Sequence, residues 1–154
     1  MHGVKARVVS LQLHERHGAP LRPVGEVTGR VGGGIEGDSH VDRPKRAVVI
    51  ADRSTHEALG LVPGDLREQI TIEGLPGISL LAPDSEIRVG GLTLRVVGEC
   101  EPCTHIGEMA RVDDVEAFQA SLQGRRGAVC TVIAATGPVR VGDPVEVLPA
   151  RVRV

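Results

Sequence analysis

The chain is predicted to be mainly β, a closed or nearly closed β-barrel with two or three short helices, on three observations. Its apolar residues fall in short runs rich in Val, Ile and Leu, and Gly or Pro turns punctuate those runs. Few segments carry helical spacing. With no Trp, no Tyr and only Phe118 among the aromatic residues, the core must be aliphatic, which suits strands. Closing such strands into a barrel removes exposed edges. At 154 residues the chain suffices for one domain with a real core, taken as residues 1–154.

Val4 to Leu13, rich in β-branched and aliphatic residues, is expected to form the first strand, and the polar stretch from His14 to Pro23 a loop. A second β-like piece covers Val24 to Val31. Gly32-Gly33-Gly34 then breaks the chain into a mobile or tightly turning loop. Ala47 to Ala51 is a continuous apolar run, as in a strand buried on both faces. Asp52 to Leu59 reads as a short helix with Asp52 or Ser54 as N-cap and Gly60 as its stop.

Pro63-Gly64-Asp65 is a turn, and Ile70-Thr71-Ile72 a strand ending near Gly74. Ile87-Arg88-Val89 and Leu92 to Val96 alternate apolar and polar residues across Gly90-Gly91, which predicts a β-hairpin over Glu86 to Gly98. Val115, Phe118 and Leu122 lie at helical spacing after Asp113 and Asp114, so Val112 to Leu122 reads as a helix stopped by Gly124. Ala128 to Ala135 is a buried strand, and Val139 to Val141 and Val145 to Val147 flank the turn Gly142-Asp143-Pro144.

A formal charge of −2, with no basic run and no interleaved aromatics, argues against a nucleic-acid partner. No stretch approaches the roughly 18 apolar residues of a membrane span, and the N-terminus lacks a signal-peptide apolar region. A cytoplasmic protein without a membrane partner is expected. Its three cysteines then read as metal, redox or core residues rather than as a disulfide framework.

Cys100 and Cys103 fall directly after a predicted strand, beside Pro102, where a thiol can face a ligand. Glu99 and Glu101 would raise a thiol pKa, whereas a bound metal would deprotonate the sulfur. As half of a structural zinc site the pair lacks a partner pair, although His105 could contribute. A thioredoxin-like redox pair would need a following helix in a βαβ setting, and neither is evident. Cys130, within an apolar run, reads as a small buried hydrophobe.

Gly34 to His40 would ring the end of a barrel, with His40 as a candidate proton donor; an Asx turn with a solvated histidine is the plainer reading. His2, His14 and His17 fall in terminal or loop sequence and His56 in a short helix, so all four read as surface residues. Arg67, Gln69 and Thr71 could donate to an anionic or heterocyclic ligand, or belong to a charged turn entering a strand. Arg125-Arg126 could pair with a phosphate or simply be solvated.

In order, Gly34 to His40, Pro63 to Thr71, Glu101-Pro102-Cys103, Arg126-Gly127 and Val141 to Val145 resemble the MOSC domain family, over about Val24 to Val147. The resemblance implies a β-rich barrel and a molybdenum-pterin cofactor, with Cys103 as metal ligand or sulfur carrier. It also implies that Asp38, His40, Arg67, Glu68, Gln69 and Thr71 line the cofactor pocket and that Arg126 reaches the phosphate. Relatives usually carry Glu-Asn where this chain has Glu68-Gln69. The implied activity is reduction of an N-hydroxylated small-molecule substrate, with Cys103 on the metal, His40 as acid, and an external electron donor. Alternatives are a non-catalytic carrier, in which Cys103 holds a persulfide or the cofactor and exchanges it with a sulfur donor or acceptor protein, and a structural or zinc-bound module.

Overall fold

In a computed structural model, residues 6–16, 19–43, 46–100 and 112–149 are described. The strands are β1 (Arg7–Leu13), β2 (Arg22–Val24), β3 (Glu26–Val27), β4 (Val48–Asp52), β5 (Ile70–Glu73), β6 (Glu86–Val89), β7 (Leu92–Glu99), β8 (Ala128–Ala135), β9 (Val139–Arg140) and β10 (Val145–Val147). Among the described residues two α-helices interrupt them, α1 (Arg53–Leu59) and α2 (Val115–Ser121), with a 3-10 turn at Ile78–Leu80.

Eight strands form one sheet in the order β10-β6-β7-β8-β4-β5-β1-β2, and β3 and β9 form a separate two-stranded pair. All pairings between these strands are antiparallel except β4 with β5. That parallel pair needs a crossover, and α1 supplies it. The ladder does not close into a barrel. Backbone bonds do run from Val8 N–H to the Asp143 carbonyl (2.9 Å), from Gly142 N–H to the Val8 carbonyl (2.8 Å) and from Val145 N–H to the Ala6 carbonyl (3.0 Å), around the isolated bridge Arg7–Pro144, but no continuous ladder pairs β1 with β10 among the described residues. A mainly β fold with two helices among the described residues therefore stands, without closure by continuous strand pairing there.

Local chemistry explains most elements. The β6–β7 hairpin turns at Gly90-Gly91, with Val89 opposite Leu92, and buries Ile87, Val89, Leu92, Leu94 and Val96 on one face. Helix α1 starts at Asp52, whose carboxylate accepts from Ser54 N–H at 2.9 Å, and ends at Gly60 in the left-handed region (φ 69°). Helix α2 is shorter than its apolar spacing suggests and is capped by Asp114, which accepts from Ala117 N–H. Of the β-like piece expected over Val24 to Val31, Val24 closes β2, which begins at Arg22 inside the stretch expected as a loop, and beyond Gly25 the named strand is Glu26–Val27; β9 and β10 join different partners, β3 and β6.

The main core is aliphatic, built from residues such as Val8, Leu11, Ile35, Ile50, Ile70, Ile72 and Leu94. A second cluster gathers Ala51, Leu66, Phe118 and Leu122 and seats α2 against the outside of β4. No helix among the described residues is long and apolar enough to cross a membrane.

Candidate functional site

Two chain segments far apart in sequence are stitched together at the end of β1. The loop after Gly32-Gly33-Gly34 is closed by a bond from Gly34 N–H to the Val41 carbonyl at 2.9 Å. An ideal Cβ on Gly33 would lie 2.2 Å from that same carbonyl oxygen, so the close approach requires glycine. The loop then docks on β1 twice. Ser39 N–H donates to the His14 carbonyl (2.7 Å), and His14 N–H donates to Asp38 Oδ1 (2.7 Å).

Asp38 is thereby buried at the centre of a polar cluster. Besides His14 N–H, its oxygens meet His14 Nδ1 (3.1 Å), His40 N–H (2.9 Å) and Gln69 Nε2 (3.2 Å). Burial alone would raise its pKa, but the bonds from His14, His40 and Gln69 outweigh that and hold it below the usual range. His14 is buried, a correction to its expected solvent exposure. The His40 ring lies half-buried against it, centroids 4.6 Å apart.

Desolvation, with the neighbouring charges of His14, Arg43 and Arg67, pushes the His40 pKa down to about 4, against a smaller opposing pull from Asp38. At neutral pH its imidazole is uncharged. It can accept a proton or bind a Lewis acid, but it holds no proton to give as an imidazolium. The neutral ring still carries one N–H, so it can donate a hydrogen bond from that nitrogen.

Gln69 forms the link to the sheet. Its Oε1 accepts from Val49 N–H (2.7 Å), and its Nε2 faces Asp38, the Ala47 carbonyl and His14 Nδ1. Glu68 faces a different set of partners. Its Oε1 accepts from Gly64 N–H (3.0 Å) and Leu66 N–H (3.2 Å), its Oε2 accepts from the Thr71 hydroxyl (2.9 Å), and that same Oε2 lies 2.5 Å from His56 Nε2. Gln12 Nε2 closes the network by donating to the Glu68 carbonyl and to Thr71 Oγ1. Glu68, Gln69 and Thr71 are all fully buried and engaged by neighbouring protein groups.

His56, expected at the surface, is instead buried against Glu68. Its desolvation favours the neutral form, but the Glu68 carboxylate outweighs this and raises the pKa. The solvent-exposed reading failed for both His14 and His56 because each is buried by a carboxylate distant in sequence.

The basic residues converge from two further segments. Arg67 occupies the left-handed region (φ 61°), unusual for a side chain of its size, and its Nη1 donates to the Ala19 carbonyl at 2.8 Å. Desolvation lowers its pKa; the charge of nearby Arg126 pulls the same way, and Asp38 opposes. Arg126 is buried and precedes Gly127, where φ is 138° and an added Cβ would lie 2.6 Å from the Ile50 carbonyl. The Thr55 hydroxyl ties α1 to the same turn by donating to the Arg125 carbonyl at 2.6 Å.

Cys100 N–H donates to the Gly127 carbonyl (2.9 Å), so the chain leaves β7 toward Cys103 directly beside Arg126. Cys103 and His105 themselves lie outside the described residues. Cys130 is a buried core thiol, pushed up to about 12 by desolvation, as its apolar run implied.

The MOSC domain model matches residues 38–146. The chain belongs to the MOSC domain family. Among solved structures, this MOSC chain is similar to the YuaD protein from Bacillus subtilis, at 23% identity and a TM-score of 0.79, covering 92% of this chain and 94% of that one. It is also similar to YiiM from Escherichia coli (19% identity, TM-score 0.67, 96% and 72% covered) and to YiiM from Geobacillus stearothermophilus (15%, 0.71, 94% and 75%). At these identities the likeness shows the fold alone. No curated protein sequence matches the chain.

Proposed function

We propose that this MOSC domain binds the molybdenum cofactor, with Cys103 as thiolate ligand to the metal and Arg67 and Arg126 toward the phosphate. The observation that carries this reading is the placement of two guanidinium groups, one half-buried and one buried, near enough to oppose each other's charge, with Arg126 adjoining Gly127, whose carbonyl accepts from Cys100 N–H. Cations held that way favour an anionic occupant, and guanidinium geometry matches phosphate oxygens. Soft thiolate suits molybdenum. The donor set therefore fits the group, which when bound would supply two-electron oxygen chemistry.

Within this reading two activities compete. Reduction of N-hydroxylated small molecules needs an external electron donor and a proton for the departing oxygen. His40, neutral at physiological pH, does not supply that proton as an imidazolium. The second activity is carriage of the cofactor or of a Cys103 persulfide to an acceptor protein.

Protein purified from a molybdenum-replete host should contain molybdenum and a fluorescent pterin in equal amounts. Cys103→Ser should lose the metal while Cys100→Ser keeps it, and Arg126→Gln should lower pterin retention. Equal loss from both cysteine variants would point to a shared two-cysteine site. Protein from that host containing neither molybdenum nor pterin would overturn the reading. With a chemical electron donor, turnover of an N-hydroxylated base by the loaded protein would select the reductase, and transfer without turnover the carrier.

A further inference from the structure

We propose that His14, Asp38 and His40 form a binding site for one first-row divalent transition-metal ion, separate from the thiolate at Cys103. One ligand atom from each of the three lies within 4.8 Å of the others, although His14 is 24 residues from Asp38. Two bonds of about 2.1 Å meeting near a right angle span roughly 3 Å. The 3.1 Å between His14 Nδ1 and Asp38 Oδ1 matches that chord. Two imidazoles and one carboxylate are the donor set of zinc, iron, cobalt and nickel, and three ligands leave further coordination positions open.

The supports such a site needs are present. Asp38 is held by backbone N–H groups of His14 and His40 and by the Gln69 amide, so its carboxylate is fixed in place before any ion arrives. Gln69 is itself fixed because its Oε1 is bound to Val49 N–H. Arg67 is restrained by its bond to the Ala19 carbonyl. Coordination through His14 Nδ1 replaces the proton that this nitrogen shares with Asp38 Oδ1 in the ion-free protein, so the ion takes the place of that hydrogen bond. The cationic Arg43 and Arg67 near His40 make this a weaker site than one ringed by carboxylates. Half-exposure of His40 gives the ion a route in and leaves an open face for a water or small ligand.

Cobalt(II) titrated into chelator-treated protein free of molybdenum tests this directly and independently of the cofactor reading. One equivalent should produce visible d–d bands without the near-ultraviolet charge-transfer band of a thiolate ligand, and should broaden the His14 and His40 ring resonances of the unmodified protein. His40→Ala and Asp38→Asn should each weaken binding at least tenfold, while Cys103→Ser leaves the spectrum unchanged. Should Asp38→Asn fail to fold, His40→Ala and the wild-type ring resonances decide. A charge-transfer band lost in Cys103→Ser, undiminished binding by His40→Ala, or broadening that misses both rings would overturn the site.

Discussion

Asp38 with His14 and His40, and Glu68 with His56, are two buried carboxylate–imidazole groups set beside one another where the chain enters β5. In the first, a half-buried imidazole is held neutral by desolvation and neighbouring positive charge. In the second, burial again favours the neutral form, but the Glu68 carboxylate against the imidazole, with Asp65 nearby, raises its pKa. Burial disfavours charge in both, so the difference lies in the neighbours. Asp38 shares its charge among several donors and stands near Arg67, whereas Glu68 Oε2 lies directly against His56. The first group retains an open side and is the candidate for ligand chemistry. The second ties α1, the turn at residues 64–66 and β5 together and is structural.

The largest expected effect comes from breaking the structural group. Glu68→Ala removes the carboxylate against buried His56 and strands two backbone N–H groups, and should lower unfolding stability by about 3–5 kcal/mol in a denaturant melt. Replacing Asp38 by Ala should also destabilise, since the docking of the residue 34–41 loop on β1 depends on it, but the two losses should differ in pH response.

Gln69→Asn comes next. The shortened side chain cannot span Val49 N–H and Asp38 together, and a loss of about 1–3 kcal/mol is expected by the same measurement. It should also loosen His14, visible as altered ring resonances, while leaving those of His56 unmoved. An unchanged His14 would mean that Gln69 does not set the first group's geometry.

The smallest effects are on the shape of the stability–pH curve, and they have opposite signs. His40, lowered to about 4, remains neutral in the folded protein while the unfolded chain takes up a proton below its ordinary value of 6.5. Its contribution is therefore present above about pH 6.5 and lost as pH falls toward 4. His56, raised by Glu68, contributes fully below 6.5, and this is lost as pH rises through its folded-state value. His40→Gln should flatten the acid limb and His56→Gln the alkaline limb; the reverse assignment would invert the comparison.

The hairpin was legible in the sequence because alternation and a glycine turn are both local signals, and α1 because its cap and its stop adjoin it. The partners of β9 and β10 were not, since two- and three-residue strands carry no record of which distant edge they meet. Asp38, His40 and Gln69 could be singled out as polar residues next to strands. His14 and His56 were misread as exposed, because isolated histidines in polar sequence give no hint of the carboxylates, 24 and 12 positions away, that bury them. Charged partners at such spacings around a Gly-Asp-x-His loop were the available signal. The role of Cys103 rests on the motif and on where Cys100 leaves the sheet.

Histidine side-chain NMR across a pH titration is the most direct test of the contrast between the two groups. His40 should titrate near 4 and His56 above 6.5, each assigned by loss of its signal in the His40→Gln and His56→Gln proteins. Both rings titrating together close to 6.5 would contradict it, showing that neither imidazole is held in the protonation state that separates the open site from the structural one.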